Sequence, residues 1–178
     1  MRSAEFRNLV YDAQHDADHL FSLLDHPAAQ RDEELAATAI AMTRRTEVTP
    51  AVRVRLHELT RDGRTAVRRS AVAVLAESAE VGDIDVLCTA LVDVNPATRR
   101  WAAIGLGSVV DHLDGVSLET AVATPDAGVR YELAKHLESG DAEQRAALTR
   151  LARDDRWRVR RVARRKLRRG GASASSGA

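Results

Sequence analysis

Aromatic side chains are scarce: two Trp, two Tyr and two Phe make up 3% of 178 residues. Ala, Leu and Val must therefore fill the core, which favours helices that meet through small contacts. Cysteine occurs once, at Cys88, so an intrachain disulfide is excluded and a cytoplasmic location is expected. Apolar runs are short, well under the roughly 18–20 residues of a membrane span. The opening Met1-Arg2-Ser3-Ala4-Glu5 is too polar for a signal peptide. Net charge is small as well: 27 Lys and Arg face 26 Asp and Glu, a balance that points to no particular partner.

What the chain does contain is a repeat. The segments beginning at Asp62, Asp93, Thr124 and Asp154 align without gaps, each with an Arg six residues on, at Arg68, Arg99, Arg130 and Arg160. Seven residues after each Arg comes Leu75, Leu106, Leu137 or Leu167, and six residues before each start comes Leu56, Leu87, Leu118 or Leu148. A weaker copy begins at Asp25, with Arg31 at the same offset. Val67, Ala71, Val72 and Leu75 have the spacing of one helical stripe, and Val54, Leu56 and Leu59 suggest a second helix. Pro50, Pro96 and Pro125 fall at expected helix starts, while Gly82, Gly115 and Gly140 mark expected turns. No alternating strand pattern with hairpin turns appears. A helix pair of about 30 residues cannot bury its stripe alone, so neighbouring pairs must stack into a solenoid.

The Asp–x5–Arg start, the Val-Arg pair, the small residues and the Leu resemble short HEAT repeats, in particular the HEAT-like repeats of phycobilin lyases. The resemblance covers residues 25–169 and implies an all-α, right-handed α-solenoid (alpha-alpha superhelix) of about five helix pairs. The expected solenoid occupies 1–169, with a capping helix over 1–24 and repeats starting near 25, 62, 93, 124 and 154. A disordered tail is expected over 170–178, which is built of small uncharged residues. In similar proteins the repeated Asp and Arg stack as a ladder. Asp62, Asp93 and Asp154 with Arg68, Arg99, Arg130 and Arg160 are read as structural on that basis, with Asp126 standing in at the Thr124 repeat.

Catalytic chemistry finds little support. No catalytic residue, cofactor or metal is expected; the nearest approach to a metal site is His15 and His19, four apart on one predicted helix face. His57-Glu58 is similar to the His-Glu pairs of HEAT-like deoxyhypusine hydroxylases. The equivalent positions Cys88-Thr89, Glu119-Thr120 and Thr149-Arg150 do not repeat the pair, so a two-metal oxygenase is not expected. Trp101 and Trp157 invite comparison with HEAT-like alkylpurine DNA glycosylases. The acid that such an enzyme needs is replaced by Gly105 and Arg161, and both Trp are expected to pack between repeats.

The balance of charge conceals a strong polarity. Arg153 to Arg169 holds ten basic and two acidic residues, a charge of +8, and the remainder of the chain carries −7. The resemblance implies that the second helix of each unit lines a concave face. His57, Glu58, Arg61, Thr89, Val92, Glu119, Thr120, Arg150 and Arg153 then form a partner-binding strip, suited to a peptide or helix. The leading expectation is a non-enzymatic scaffold for a protein partner. The alternative is nucleic-acid binding through Arg156, Trp157, Arg160, Arg161, Arg164, Arg165 and Arg168. A catalytic accessory, such as a lyase-like enzyme, is the third reading and rests on the family alone.

Overall fold

The computed structural model describes residues 3–175, and side chains are described for 4–169. The helices start where short polar side chains can accept the free N–H groups of a first turn. Asp32 opens α4 (Glu33–Met42), Thr49 opens α5 (Pro50–Leu59) and Asn95 opens α8 (Pro96–Ser108). Asp114 opens α9 (Gly115–Ala123), Asp126 opens α10 (Ala127–His136) and Asp141 opens α11 (Ala142–Leu151). The remaining helices are α1 (Ser3–Asp12), α2 (Ala17–Ser22), α3 (Pro27–Arg31), α6 (Thr65–Glu77), α7 (Ile84–Ala90) and α12 (Trp157–Ser175). Among the described residues there is no strand.

Helices α4, α6, α8, α10 and α12 pack on one another in unbroken succession. Helices α5, α7, α9 and α11 each pack on the following member of that row, but only α9 and α11 pack substantially on each other. In a two-layer stack the closely spaced layer lies on the inside of the bend. The inner layer is therefore the one that carries the Val-Arg pairs, and the outer layer is splayed. The repeat leucines sit between the layers: Leu75, Leu106 and Leu137 are wholly buried, as are Leu56, Leu87 and Leu148. At roughly 25 cal/mol per Å² of apolar surface, each stabilises the stack by about 2 kcal/mol, and no helix pair buries them without its neighbour.

Close approach within the inner layer depends on two glycines. A methyl group on Gly107 would meet the His136 ring at 2.4 Å, and one on Gly105 would meet Leu87 at 2.9 Å and the Ala76 backbone at 3.0 Å. These glycines serve for their lack of a side chain, since no described residue has a positive φ.

The structure differs from the expectation at several points. The N-terminal segment is two helices, α1 and α2, interrupted at Asp16, whose side chain accepts the His19 N–H at 2.9 Å. The first inner helix starts after Asp32, 30 residues before Asp62, and Arg31 reaches no acid among the described residues. Pro125 precedes α10 by a residue, because Asp126 takes the capping position. Gly115 is the first residue of α9 and not a turn that ends a helix. The backbone of α12 continues to Ser175, through two thirds of the segment expected to be unstructured, and 176–178 lie outside the described residues.

Candidate partner-binding face

The turn before each inner helix is built by one acidic side chain with two tasks. One oxygen of Asp93 accepts the Asn95 N–H at 2.7 Å, closing the turn, and the other accepts Nε of Arg68 from the preceding repeat at 2.8 Å. Asp154 does the same with the Arg156 N–H at 2.8 Å and Nε of Arg130 at 2.6 Å. In the third repeat the tasks are divided. The Thr124 hydroxyl accepts the Asp126 N–H at 3.4 Å, and Asp126 receives Nε of Arg99 at 2.7 Å. Each Arg also donates to the carbonyl six residues back in its own repeat, Asp62, Asp93, Thr124 or Asp154. The rungs therefore couple successive repeats and hold the turns at the same time. Asp62 has no rung from an earlier repeat and is held by Arg64.

The charges respond to this pairing. Burial pushes the Asp93, Asp126 and Asp154 carboxyls up, but the guanidinium and turn N–H bonds outweigh it and hold all three below the usual range. Arg68 and Arg130 are held above their ordinary value, chiefly by the bonds to Asp93 and Asp154.

The strip proposed from sequence sits on the outer layer and its turns, not on the inner one. The pattern of repeats does not reveal which layer is more closely spaced. His57 on α5 is engaged inward, its Nε2 at 2.6 Å from Asp83. Asp83 is fully buried, accepts from Arg53, and receives the Glu80 N–H at 2.9 Å. Sequence reasoning missed this network because its residues recur only in part, Arg53 as Arg145 and Asp83 as Asp114, and no second copy of the pair stands in adjacent repeats. Glu58 pairs with Arg55 at 2.6 Å, and Glu119 pairs with Arg150. The Thr89 hydroxyl bonds the Asp85 carbonyl at 2.9 Å. Val92 is 78% exposed at a turn, and Arg150 and Arg153 line a shallow depression beside Thr124 and Pro125. Arg61 is exposed where α5 gives way to its turn, and Thr120 on α9 is exposed too. His15 falls in the break between α1 and α2, so it does not share a helical face with His19. No described group of three His, Cys, Asp or Glu residues is arranged to hold a metal. Cys88 is half-buried against the core, where burial raises its thiol pKa.

The inner face changes along the stack. Three equivalent positions carry Ala66, Arg69 and Ala73 in α6, where both alanines are buried, and Ala97, Arg100 and Ile104 in α8. They carry Gly128, Tyr131 and Lys135 in α10, and Arg158, Arg161 and Arg165 in α12. Arg69 pairs with Glu34 of α4 at 2.8 Å. Arg100 reaches Glu132 of α10 at 2.8 Å, and Lys135 reaches the same carboxylate at 2.5 Å. Glu132 is 1% exposed; burial raises its pKa, but those two cations bring it below the usual value, so it stays ionised. Arg161 and Arg165 have no acidic partner among the described residues.

Trp157, expected to pack between repeats, is instead 57% exposed, whereas Trp101 packs against the core. The Arg158 guanidinium lies 5.6 Å from the Trp157 ring, and Lys135 Nζ lies 5.8 Å from the Tyr131 ring. A groove of about 610 Å³ runs between α10 and α12, lined by Arg100, Tyr131, Glu132, Trp157 and Val159. It continues past Arg161 and Arg165 as a second depression of about 310 Å³. Arg168 is exposed and has no acidic partner among the described residues, whereas three other α12 cations are engaged. Arg160 donates to the Asp154 and Asp155 carbonyls, Arg164 to the Ala152 carbonyl at 3.1 Å and Lys166 to Glu138 at 2.5 Å. Arg156 sits 3.7 Å from Asp155.

Comparison with known proteins agrees with this architecture. Residues 52–138 match the family model described as HEAT repeats. An engineered protein solved by a structural genomics consortium superposes with a TM-score of 0.59 at 19% identity, covering 93% of this chain and 88% of that one. A designed armadillo repeat protein superposes with a TM-score of 0.57 at 16% identity, covering 93% and 92%. At those identities the likeness is one of fold alone. No curated protein matches the chain. Residues 52–138 thus match HEAT repeats, and the stacking of the two helix layers over the described residues is that of an α-helical repeat solenoid.

Proposed function

We propose that the protein is a non-enzymatic scaffold that holds a protein partner against its inner helix layer, at the α10–α12 end. The observation that carries this reading is the groove beside Trp157, where an exposed indole, a half-buried phenol and arginines with no acidic partner among the described residues converge. Trp, Tyr and Arg are the residues most often found to dominate binding energy at protein interfaces. They stand on packed helices, so the backbone that carries them is ordered before a partner binds, which favours affinity. No described helix is long and apolar enough to cross a membrane.

The nucleic-acid reading has less support, because Arg160 and Arg164 of its seven candidates donate to backbone carbonyls and Arg156 lies beside Asp155. The test is site-specific photo-crosslinking in the native host, with the reactive amino acid replacing Arg158 on the inner face or Val116 on the outer. A discrete protein adduct from position 158 and none from 116 is expected. Adducts from 116 alone, or from neither position, reject the scaffold reading.

A further inference from the structure

The inner face repeats a charge pattern that is left incomplete at α12. The residue after each ladder Arg is Arg69, Arg100, Tyr131 and Arg161. The first two take a carboxylate from an adjacent inner helix, Arg69 from Glu34 and Arg100 from Glu132. Arg161 stands at the same register with no described carboxylate, and Arg165 lies one turn further on in the same condition. An apolar wall of Tyr131, Trp157 and Val162 borders them.

We infer that the α10–α12 groove takes an acidic segment of a partner protein, with carboxylates on Arg161 and Arg165 and an apolar side chain between Tyr131 and Trp157. This inference rests on the scaffold reading and adds the chemistry of the partner. Arginine suits the task because its planar fork receives a carboxylate through two parallel bonds. The apolar wall gives an anchor side chain a place to leave water, which a uniformly charged polymer does not exploit.

A polyanion fits less well. The stripe from Arg158 to Arg165 spans only about 10 Å at 1.5 Å per residue, room for few phosphates. Toward α4 the arginines of the inner face already hold carboxylates, Arg100 with Glu132 and Arg69 with Glu34. A protein segment can vary its charge along its length to follow that change; a nucleic-acid strand cannot.

The test uses the full chain and fluorescein-labelled peptides of about twelve residues, a length that spans such a groove. One peptide consists of Asp and Glu around a central Phe, a second has Ala in place of Phe, and an oligothymidylate of similar length is the third probe. Fluorescence anisotropy is read at about 50 mM salt, where charge contacts are least screened. The Phe peptide binds and quenches Trp157, and binding falls about tenfold or more in R161E/R165E. W157A, or the Ala peptide, weakens it by a similar factor. V116E on the outer layer leaves it unchanged. All four positions are exposed, and unchanged far-UV dichroism establishes that the variants fold. The inference is overturned if the Phe and Ala peptides bind equally, if R161E/R165E binds like the parent, if no peptide binds, or if the oligonucleotide binds more tightly than the Phe peptide. A crosslinked protein at position 158 together with any of these outcomes leaves the scaffold intact and removes only its acidic partner.

Discussion

Helices α8 and α12 occupy the same place in their repeats, two units apart, yet they use their charges differently. In α8 Arg99 is bonded to Asp126 and Arg100 to Glu132, both on the following repeat. In α12 Arg160 keeps the bonds to its own turn, while Arg161 has no described acid to meet. The apolar register changes with it. Val72 and Ala76 of α6, and Ala103 and Gly107 of α8, receive the next inner helix; the same register in α12 holds Arg164 and Arg168. Bulky cations there leave this side of α12 polar and exposed, where the same register in α6 and α8 is packed. One repeat pattern thus gives stability in the middle of the stack and a reactive charged surface at its end, and the difference lies in whether a neighbour supplies the counter-charge.

This contrast can be broken most severely at Asp83. D83A leaves Arg53 and His57 facing a buried vacancy and should destabilise the chain by about 3–5 kcal/mol, read as a lower urea midpoint. R99A removes a rung that joins two repeats and releases Asp126, for about 2–3 kcal/mol by the same measurement. G107A pushes a methyl group into the His136 ring and should cost about 1–2 kcal/mol, whereas R168A, at the equivalent register, should stay within about 0.5.

Acid acts on the rungs together. The Asp93, Asp126 and Asp154 carboxyls have depressed pKa values in the folded state. The stability they contribute is complete above the unfolded carboxylate value of about 4 and is lost as pH falls below it. The urea midpoint should therefore hold level down to about pH 5 and then drop, with a shallower drop in R99A. The smallest effect belongs to R161A, whose stability should match the parent within about 0.5 kcal/mol, since no folded contact is removed.

The ladder was legible because its parts recur at fixed offsets. Asp93 and Arg68 lie in adjacent repeats, and a 31-residue period brings them together wherever the stack forms. Even the irregular repeat was readable, since Asp126 lies close enough to Thr124 to take over its carboxylate role. His57 and Val92 were assigned to the wrong face because both layers share one period, and only their relative spacing separates inner from outer. Trp157 was expected to be buried because a large aromatic commonly packs in a core, but its register is that of Pro96, which is exposed as well. The positions of Asp83 and Arg53 recur as Asp114 and Arg145, but those residues bond the Ser117 N–H and the Ser139 carbonyl, so recurrence did not disclose the network with His57.

By itself the sequence determined the helix pairs, their period, the leucines between layers and the arginines that tie each turn to the next. These follow from local spacing, and a stack of near-identical units has few other ways to bury its stripe. The tertiary structure alone decided the direction of the bend, the burial of Asp83 and the isolation of Arg161. Each of these depends on what stands across from a side chain rather than on what precedes or follows it in the chain.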